Sequence, residues 1–168
     1  MSSAFAVRPA RTRDVPRIAE LVEPLVQQRI LLGKNLVAFY ESVHEFVVAV
    51  DDAGDLIGCG ALHVMWEDLG EVRTLAVAPQ HLGRGVGSAL LARLEEEAHA
   101  LGLSRLFCLT FETQFFGRHG FEAVGEDLVA PEIYAELVRS SDEGVAEFLD
   151  LARVKPNTLG NTRMVKLL

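Results

Sequence analysis

Residues 77–91, VAPQHLGRGVGSALL, place three glycines at alternate positions between the end of an apolar run and the start of an apolar helix. Gly83, Gly85 and Gly87 keep the backbone path clear of Cβ atoms and leave N–H groups open where a helix begins. Those N–H groups and the positive end of the helix dipole together suit an anion such as phosphate or pyrophosphate. The stretch therefore predicts a strand, an anion-binding loop and a helix.

The glycine loop fits neither of two common phosphate-binding motifs. A Walker loop closes with Gly-Lys-Ser/Thr, whereas this loop closes with GVGSA. A dinucleotide fingerprint requires glycine at the sixth position counted from Gly83, where the chain has Ser88. Glycines that serve only a tight turn remain an alternative to anion binding.

The pattern around the loop predicts an α/β chain. Four apolar runs that precede the loop are typical of strands: 5–10, 45–50, 56–65 and 71–77. The helix after the loop has one apolar face and ends at Gly102; the residues of that face are Leu90, Leu91, Leu94, Ala98 and Leu101. Residues 104–110 then return as a strand beside 71–77. An earlier helix has an apolar stripe from Val15 to Val26, and we expect Pro24 to bend or stop it.

Composition limits the possible partners. A chain of 168 residues with 49% hydrophobic content fits one domain, residues 1–168. A net charge of −8 gives no footprint for nucleic acid. No apolar run approaches the roughly 20 residues that span a bilayer, and the N-terminus lacks the layout of a secretion signal, so we expect a cytoplasmic protein without membrane contact. Cys59 and Cys108 lie in apolar runs and are expected to be buried thiols.

Two segments carry a resemblance to a known family. LAVAPQHLGRGVGSALL (75–91) and LFCLTFETQFFGRHGF (106–121) resemble the GCN5-related N-acetyltransferases (GNAT). The resemblance implies a single-layer mixed sheet flanked by helices, in which two splayed parallel strands form a cleft for acetyl-CoA, with no metal. It also implies a backbone oxyanion site near Leu75, Ala76 and Val77, and a pyrophosphate loop whose residues are Leu82, Gly83, Arg84, Gly85, Val86, Gly87 and Ser88.

Acetyl transfer to an amine needs a base, an oxyanion site and a proton donor for the leaving thiolate. Glu71 is the candidate base, and strand alternation predicts that Glu71, Arg73 and Leu75 share one face. The family's usual tyrosine is absent, because Phe116 stands at its position. Thr113 is the expected substitute as proton donor, although it is equally suited to cap the following helix.

A closer resemblance concerns the acceptor. LVEPLVQQRILLGKN (21–35) and GEVRTLAV (70–77) look like the acetyltransferase domain of bacterial N-acetylglutamate synthases. That resemblance implies transfer to L-glutamate, giving N-acetyl-L-glutamate in the first step of arginine biosynthesis, here without an amino-acid-kinase domain. Two carboxylates call for cationic and amide donors; the candidates are Arg73, Lys34, Arg29, Gln28, Asn161, Arg163 and Lys155.

Other functions stay open at this point. Another amino acid, a polyamine or a protein amine is an alternative acceptor, and a polyamine would prefer an acidic mouth such as Glu67, Asp68 and Glu71. A catalytically silent acetyl-CoA sensor is a further alternative, supported by the missing tyrosine. A homodimer paired through the C-terminal strands is also possible.

Overall fold

The computed structural model describes residues 4–125, 128–149 and 160–168, so Lys155 lies outside the described residues. Within these residues the chain forms a seven-stranded sheet flanked by α-helices. The strands are β1 (Phe5–Pro9), β2 (Phe46–Asp51), β3 (Leu56–Val64), β4 (Leu69–Val77), β5 (Arg105–Thr110), β6 (Glu122–Ala123) and β7 (Thr162–Leu167). The helices are α1 (Val15–Gln27), α2 (Leu36–Glu41), α3 (Val86–Leu101), α4 (Thr113–Arg118), α5 (Pro131–Leu137) and α6 (Glu143–Phe148).

The sheet has the order β1-β2-β3-β4-β5-β7-β6. β4 and β5 are parallel and are connected through α3, whereas the other neighbouring strands are antiparallel. The predicted mixed sheet flanked by helices is therefore confirmed. β4 and β5 pair only where Leu69–Glu71 meets Arg105–Phe107. Beyond these residues the two strands do not pair with each other, which leaves a cleft between them.

Apolar side chains cover both faces of the sheet. On one face, Leu90, Leu91 and Leu94 of α3 pack with strand residues that include Leu106 and Cys108. On the other face, Val15, Ile18 and Val22 of α1 pack against Cys59 and Ala61. α5 and α6 contribute to a third cluster around Leu69 and Phe107. Since Phe107 lies between Leu106 and Cys108, strand alternation places the α5–α6 pair on the face opposite α3.

Two expectations about the elements need correction. α1 does not stop at Pro24 but continues to Gln27, because Glu20 and Pro24 are both exposed and water can satisfy the carbonyl that loses its partner. Leu101 is 60% exposed at the end of α3 and does not join the buried face. β7 lies between β5 and the two-residue strand β6 in the sheet, and the homodimer paired through the C-terminal strands stays a prediction.

Candidate active site

The glycine loop leads directly into α3. Gly83 and Gly85 have φ values of 74° and 81°, a left-handed conformation that glycine adopts at little cost. Gly85 is the N-cap of α3, followed by buried Val86 and half-buried Gly87 and Ser88. Leu82 and Arg84 are exposed. The predicted loop is therefore an accessible helix N-terminus whose first backbone N–H groups have no partner within the helix.

A pocket lies where β4 and β5 separate. β4 contributes Glu71, Arg73 and Leu75, and β5 contributes Cys108 and Thr110. Further lining residues come from the segment between α1 and α2, from α4 and from α6; these are Ile30, Leu31, Leu32, Lys34, Phe116, Gly144 and Glu147. The pocket thus joins the two splayed strands to polar groups from distant parts of the chain.

Glu71 and Arg73 form a buried ion pair in this pocket, being 5% and 9% exposed. Nη2 and Nε of Arg73 donate to Oε2 of Glu71 at 2.7 and 3.2 Å. Both bonds end on Oε2, which leaves Oε1 of Glu71 to other partners. Burial alone would lower the pKa of Arg73, but the charge of Glu71 and the hydrogen bond with Asp142 outweigh it and raise that pKa.

Asp142 is a second partner of Arg73 that the sequence did not predict. Nη1 of Arg73 donates to Asp142 at 3.0 Å, and Asp142 also caps α6 by accepting from the N–H of Val145 at 2.9 Å. Burial alone would raise the pKa of Asp142, but the hydrogen bond and charge of Arg73 hold it well below its ordinary value. A Cβ at Gly144 would overlap the Arg73 guanidinium, so α6 packs directly on this ion-pair network.

Leu75 does not share the face of Glu71 and Arg73, contrary to the prediction. The pairing of β3 with β4 shifts register between Cys59 and Ala61, and Thr74 has a φ of 55°. This β-bulge adds one residue to β4 and reverses the alternation after it. Leu75 consequently packs with the α3 cluster, while Ala76 packs on the opposite face.

Lys34 lines the pocket, as expected of an acceptor-binding residue. Burial lowers the pKa of its ammonium group, and the charge of Arg73 lowers it further. An anion bound beside Lys34 would oppose both effects. The lysine is therefore suited to a ligand carboxylate.

Gln28 and Arg29 lie in the turn that follows α1 and are exposed. Neither lines the pocket, whose wall is formed instead by the apolar residues Ile30, Leu31 and Leu32. Their polarity suggested acceptor contacts, but the left-handed turn at Arg29, with a φ of 57°, directs the apolar side of the segment inward.

Asn161 and Arg163 do not line the pocket, and their role in acceptor binding stays a prediction. Asn161 donates to Oε1 of Glu147 at 3.2 Å, so it contacts a pocket residue without lining the pocket itself. Arg163 donates to the carbonyl of Phe148 at 2.6 Å, and its guanidinium lies 5.9 Å from the ring centre of Phe107. These contacts tie β7 to α6, and Arg163 serves packing there.

Thr110, and not Thr113, is the threonine of the pocket. Thr113 is the exposed first residue of α4 and does not line the cleft. Thr110 is buried at the end of β5, and its Oγ1 accepts a hydrogen bond from the N–H of Glu112 at 2.8 Å. With that oxygen acting as acceptor, the hydroxyl proton can donate to a ligand. The sequence did not indicate this role, because Thr110 ends the apolar run 104–110 and threonine is an ordinary strand residue.

Two properties were searched across the described residues. Among them, no helix is both long and apolar enough to cross a bilayer. Within the same residues, no cluster of three or more His, Cys, Asp or Glu side chains is arranged to hold a metal ion.

Comparison with known sequences finds amino-acid acetyltransferases among the relatives of this chain. Residues 17–121 match the acetyltransferase (GNAT) family. The chain is 55% identical over 164 residues to an amino-acid acetyltransferase of Mycobacterium tuberculosis, covering 96% of this chain and 94% of that protein. It is 40% identical over 124 residues to an amino-acid acetyltransferase of Neisseria meningitidis serogroup A, covering 73% of this chain but only 28% of that longer protein.

Solved structures agree with the sequence relatives. A Mycobacterium tuberculosis protein in complex with CoA and NLQ superposes with a TM-score of 0.93 at 55% identity, covering 97% of this chain and 99% of that chain. N-acetylglutamate synthase from Neisseria gonorrhoeae, complexed with CoA and N-acetyl-glutamate, superposes with a TM-score of 0.80 at 30% identity, covering 100% of this chain and 36% of that chain. The chain therefore belongs to the acetyltransferase (GNAT) family, whose acetyl donor is acetyl-CoA.

Proposed function

We propose that the protein transfers the acetyl group of acetyl-CoA to the α-amino group of L-glutamate, the first step of arginine biosynthesis. The observation that carries this proposal is the convergence of Lys34, Glu71 and Thr110 on one pocket between the splayed strands. Amino-acid acetyltransferases are among the relatives at 55% and 40% identity, which supports an amino acid as the acceptor.

The donor binds along β4 and the start of α3. Its pyrophosphate accepts hydrogen bonds from open N–H groups within residues 83–88, since the N–H of Leu82 already donates to the carbonyl of Pro79 at 3.3 Å. Its pantetheine arm runs into the cleft between β4 and β5. The thioester oxygen faces the backbone of β4 near Leu75–Val77, where an N–H group stabilises the oxyanion. One such donor is worth about 3 kcal/mol in the transition state.

The acceptor approaches from the segment between α1 and α2. Lys34 binds a carboxylate of the amino acid, which holds the amine beside Oε1 of Glu71. Glu71 accepts a proton from the amine, and the amine nitrogen forms a bond to the thioester carbon as the C–S bond breaks. Thr110 donates a hydrogen bond to the departing sulfur. Of the two protons that the ammonium group loses, one ends on the CoA thiol and the other is released.

L-Glutamine is a second candidate acceptor, and the charge balance of the pocket favours it. Arg73 already has two carboxylate partners, Glu71 and Asp142. Among the described residues, Lys34 and Arg73 are the cations that line the pocket, and Lys34 is therefore the better placed to bind a ligand carboxylate. One such cation matches an amino acid with one carboxylate and a neutral amide side chain. Within this part of the chain, a second ligand carboxylate would require Arg73 to exchange a partner.

The test is release of free thiol from acetyl-CoA, followed with a thiol reagent, in the presence of glutamate, glutamine, other amino acids, spermidine or no acceptor. The highest kcat/KM with glutamate supports the proposal. The highest kcat/KM with glutamine or another amine would contradict glutamate as the acceptor and still support acetyl transfer to an amine. Binding of acetyl-CoA without thiol release from any acceptor would contradict catalysis and favour a sensor.

A charge-removing variant tests the carboxylate site within the same assay. Lys34→Met keeps the apolar stem and is expected to raise KM for the amino acid by about tenfold, the effect of one charge-assisted hydrogen bond, with KM for acetyl-CoA unchanged. Lys34→Arg should restore part of the loss. Arg17→Met is the matched control, because Arg17 is an exposed residue of α1 that pairs with Glu20.

A further inference from the structure

His119 links the end of α4 to the first turn of α3. Its Nδ1 lies 2.8 Å from the backbone oxygen of Phe115, and its Nε2 lies 3.0 Å from Oγ of Ser88. The imidazole also contacts the ring of Phe115, with ring centres 4.6 Å apart. Because three contacts hold the ring, its orientation toward Ser88 is fixed.

The hydrogen-bond partners determine which nitrogen of His119 carries a proton. A backbone carbonyl only accepts, so Nδ1 must donate to Phe115. In a neutral imidazole Nε2 then has no hydrogen, and it accepts the hydroxyl proton of Ser88. The hydroxyl group is therefore turned toward the ring and away from any ligand at the loop.

Pyrophosphate requires the opposite arrangement. Its oxygens only accept hydrogen bonds, so the Ser88 hydroxyl can serve them only by donating. To keep its bond with Ser88, Nε2 of His119 must then donate to Oγ, which requires a second ring proton. The bond between Ser88 and His119 reverses direction, and both partners remain satisfied.

We propose that His119 is a positioning residue for CoA, which takes up one proton from solvent when CoA binds and thereby turns the Ser88 hydroxyl toward the pyrophosphate. The new N–H bond forms at Nε2, and no bond of the ligand breaks. This inference rests on the proposed function, since it requires the pyrophosphate to lie on residues 83–88.

Charged groups lie on the helix of His119, in the glycine loop, on α3 and on β7. Arg118 precedes it on α4, and Arg84 lies in the glycine loop. Lys166 of β7 and Glu95 of α3 form an ion pair at 2.7 Å, and the stem of Lys166 lies beside Gly120. Glu112 is the N-cap residue of α4. His81 directly precedes the loop at Leu82, and its Nδ1 is buried without a hydrogen-bond partner among the described residues. A pH dependence of binding that survives in both Ser88→Ala and His119→Gln would therefore point to His81 and contradict the proposal.

Calorimetric titration with dephospho-CoA tests the proposal, because this ligand keeps the pyrophosphate and lacks the separate phosphate that titrates near neutrality. The wild-type protein should bind it about tenfold more tightly at about pH 6 than at about pH 8, the effect of one charge-assisted hydrogen bond. Ser88→Ala and His119→Gln should lose this dependence. His99→Gln, an exposed position near the end of the same helix α3, should keep it.

Titration in two buffers of different ionisation enthalpy counts the protons taken up, and we expect a count that falls toward zero in both variants. If the affinity of the wild type for dephospho-CoA does not change with pH, the proposed proton uptake by His119 is contradicted. The proposal would also be contradicted if Ser88→Ala kept the full dependence, since the imidazole would then respond to the phosphate charge without the serine.

Two further readouts separate this role from a structural one. KM for acetyl-CoA should change with pH in the wild type, whereas kcat at saturating acetyl-CoA should not show the same pH dependence.

If His119→Gln fails to fold, Ser88→Ala alone provides the comparison, because Ser88 is half-buried and its hydroxyl is small. Failure to bind dephospho-CoA at any pH would contradict the proposed function. Binding without proton uptake would contradict only the proposed role of His119.

Discussion

At the scale of single residues, Glu71 combines two features that a general base needs. Arg73 fixes one oxygen of the carboxylate, and the other oxygen remains available beside the cleft. Burial at 5% exposure keeps bulk water from competing for that oxygen. Arg73 is itself shared with a second carboxylate, that of Asp142.

Glu71→Gln preserves the shape of the side chain and removes the base. We expect kcat to fall by about 100-fold to 10,000-fold, the range typical of a lost general base, with little change in KM for either substrate. Steady-state thiol release measures both constants. Glu20→Gln, on the exposed surface of α1, is the control. A loss in Glu71→Gln no larger than in the control would show that solvent deprotonates the amine.

Thr110 lines the pocket, whereas Thr113 is the proton donor that the sequence predicted, so variants of the two residues can be compared directly. Thr110→Val keeps the volume and removes the hydroxyl, so kcat should fall by about tenfold, the worth of a hydrogen bond to a charged group. Thr110→Ser should retain most of the activity. Thr113→Val should have no comparable effect, because Thr113 lies outside the pocket. The reverse ranking in kcat would return the role to Thr113.

At the scale of elements, the segment 77–91 was predictable because each of its features is local. The strand, the left-handed glycines and the apolar face of α3 follow from residues within one or two turns of each other. The face of Leu75 was not predictable, because the bulge at Thr74 depends on how β3 pairs with β4. The contact between Arg73 and Asp142 joins residues 69 positions apart, and no local pattern reports it.

Helix α6 provides the stability prediction at this scale. Asp142→Asn retains a residue that caps helices well and removes the charge opposite Arg73. We expect a loss of about 2 to 3 kcal/mol in the free energy of unfolding at pH 7, because a buried cation loses one of its two partners. Urea denaturation followed by circular dichroism measures the difference from the wild type.

The pH dependence of that loss follows from the lowered pKa of Asp142. A lowered pKa means that the folded protein stabilises the ionised carboxylate of Asp142 more than the unfolded chain does. Its contribution is complete above the unfolded value of about 3.9 and disappears as the pH falls through the folded value. The difference between wild type and Asp142→Asn should therefore shrink below about pH 4. An equal difference at pH 7 and pH 3 would assign the loss to packing.

At the scale of the whole molecule, the two cysteines lie on opposite faces of one sheet. Cys59 packs under α1 and Cys108 packs under α3. Burial raises the pKa of Cys59 to about 12 and also raises the pKa of Cys108, so neither thiol forms the reactive thiolate near neutral pH. The folded protein should consequently contribute no background to an assay that detects CoA thiol.

The same cysteines report whether the two faces open together. β2 supplies Val47 and Ala49 to the cluster beneath α3, and Val48 to the cluster beneath α1, so both layers depend on the same strand. We therefore expect Cys59 and Cys108 to become reactive with one free energy of opening, equal to that of global unfolding. Alkylation at increasing urea, with the two cysteine peptides quantified by mass spectrometry, measures each separately. Labelling of Cys59 while Cys108 stays protected would mean that α1 detaches as an independent unit, and the Lys34 segment that follows α1 would then open with it.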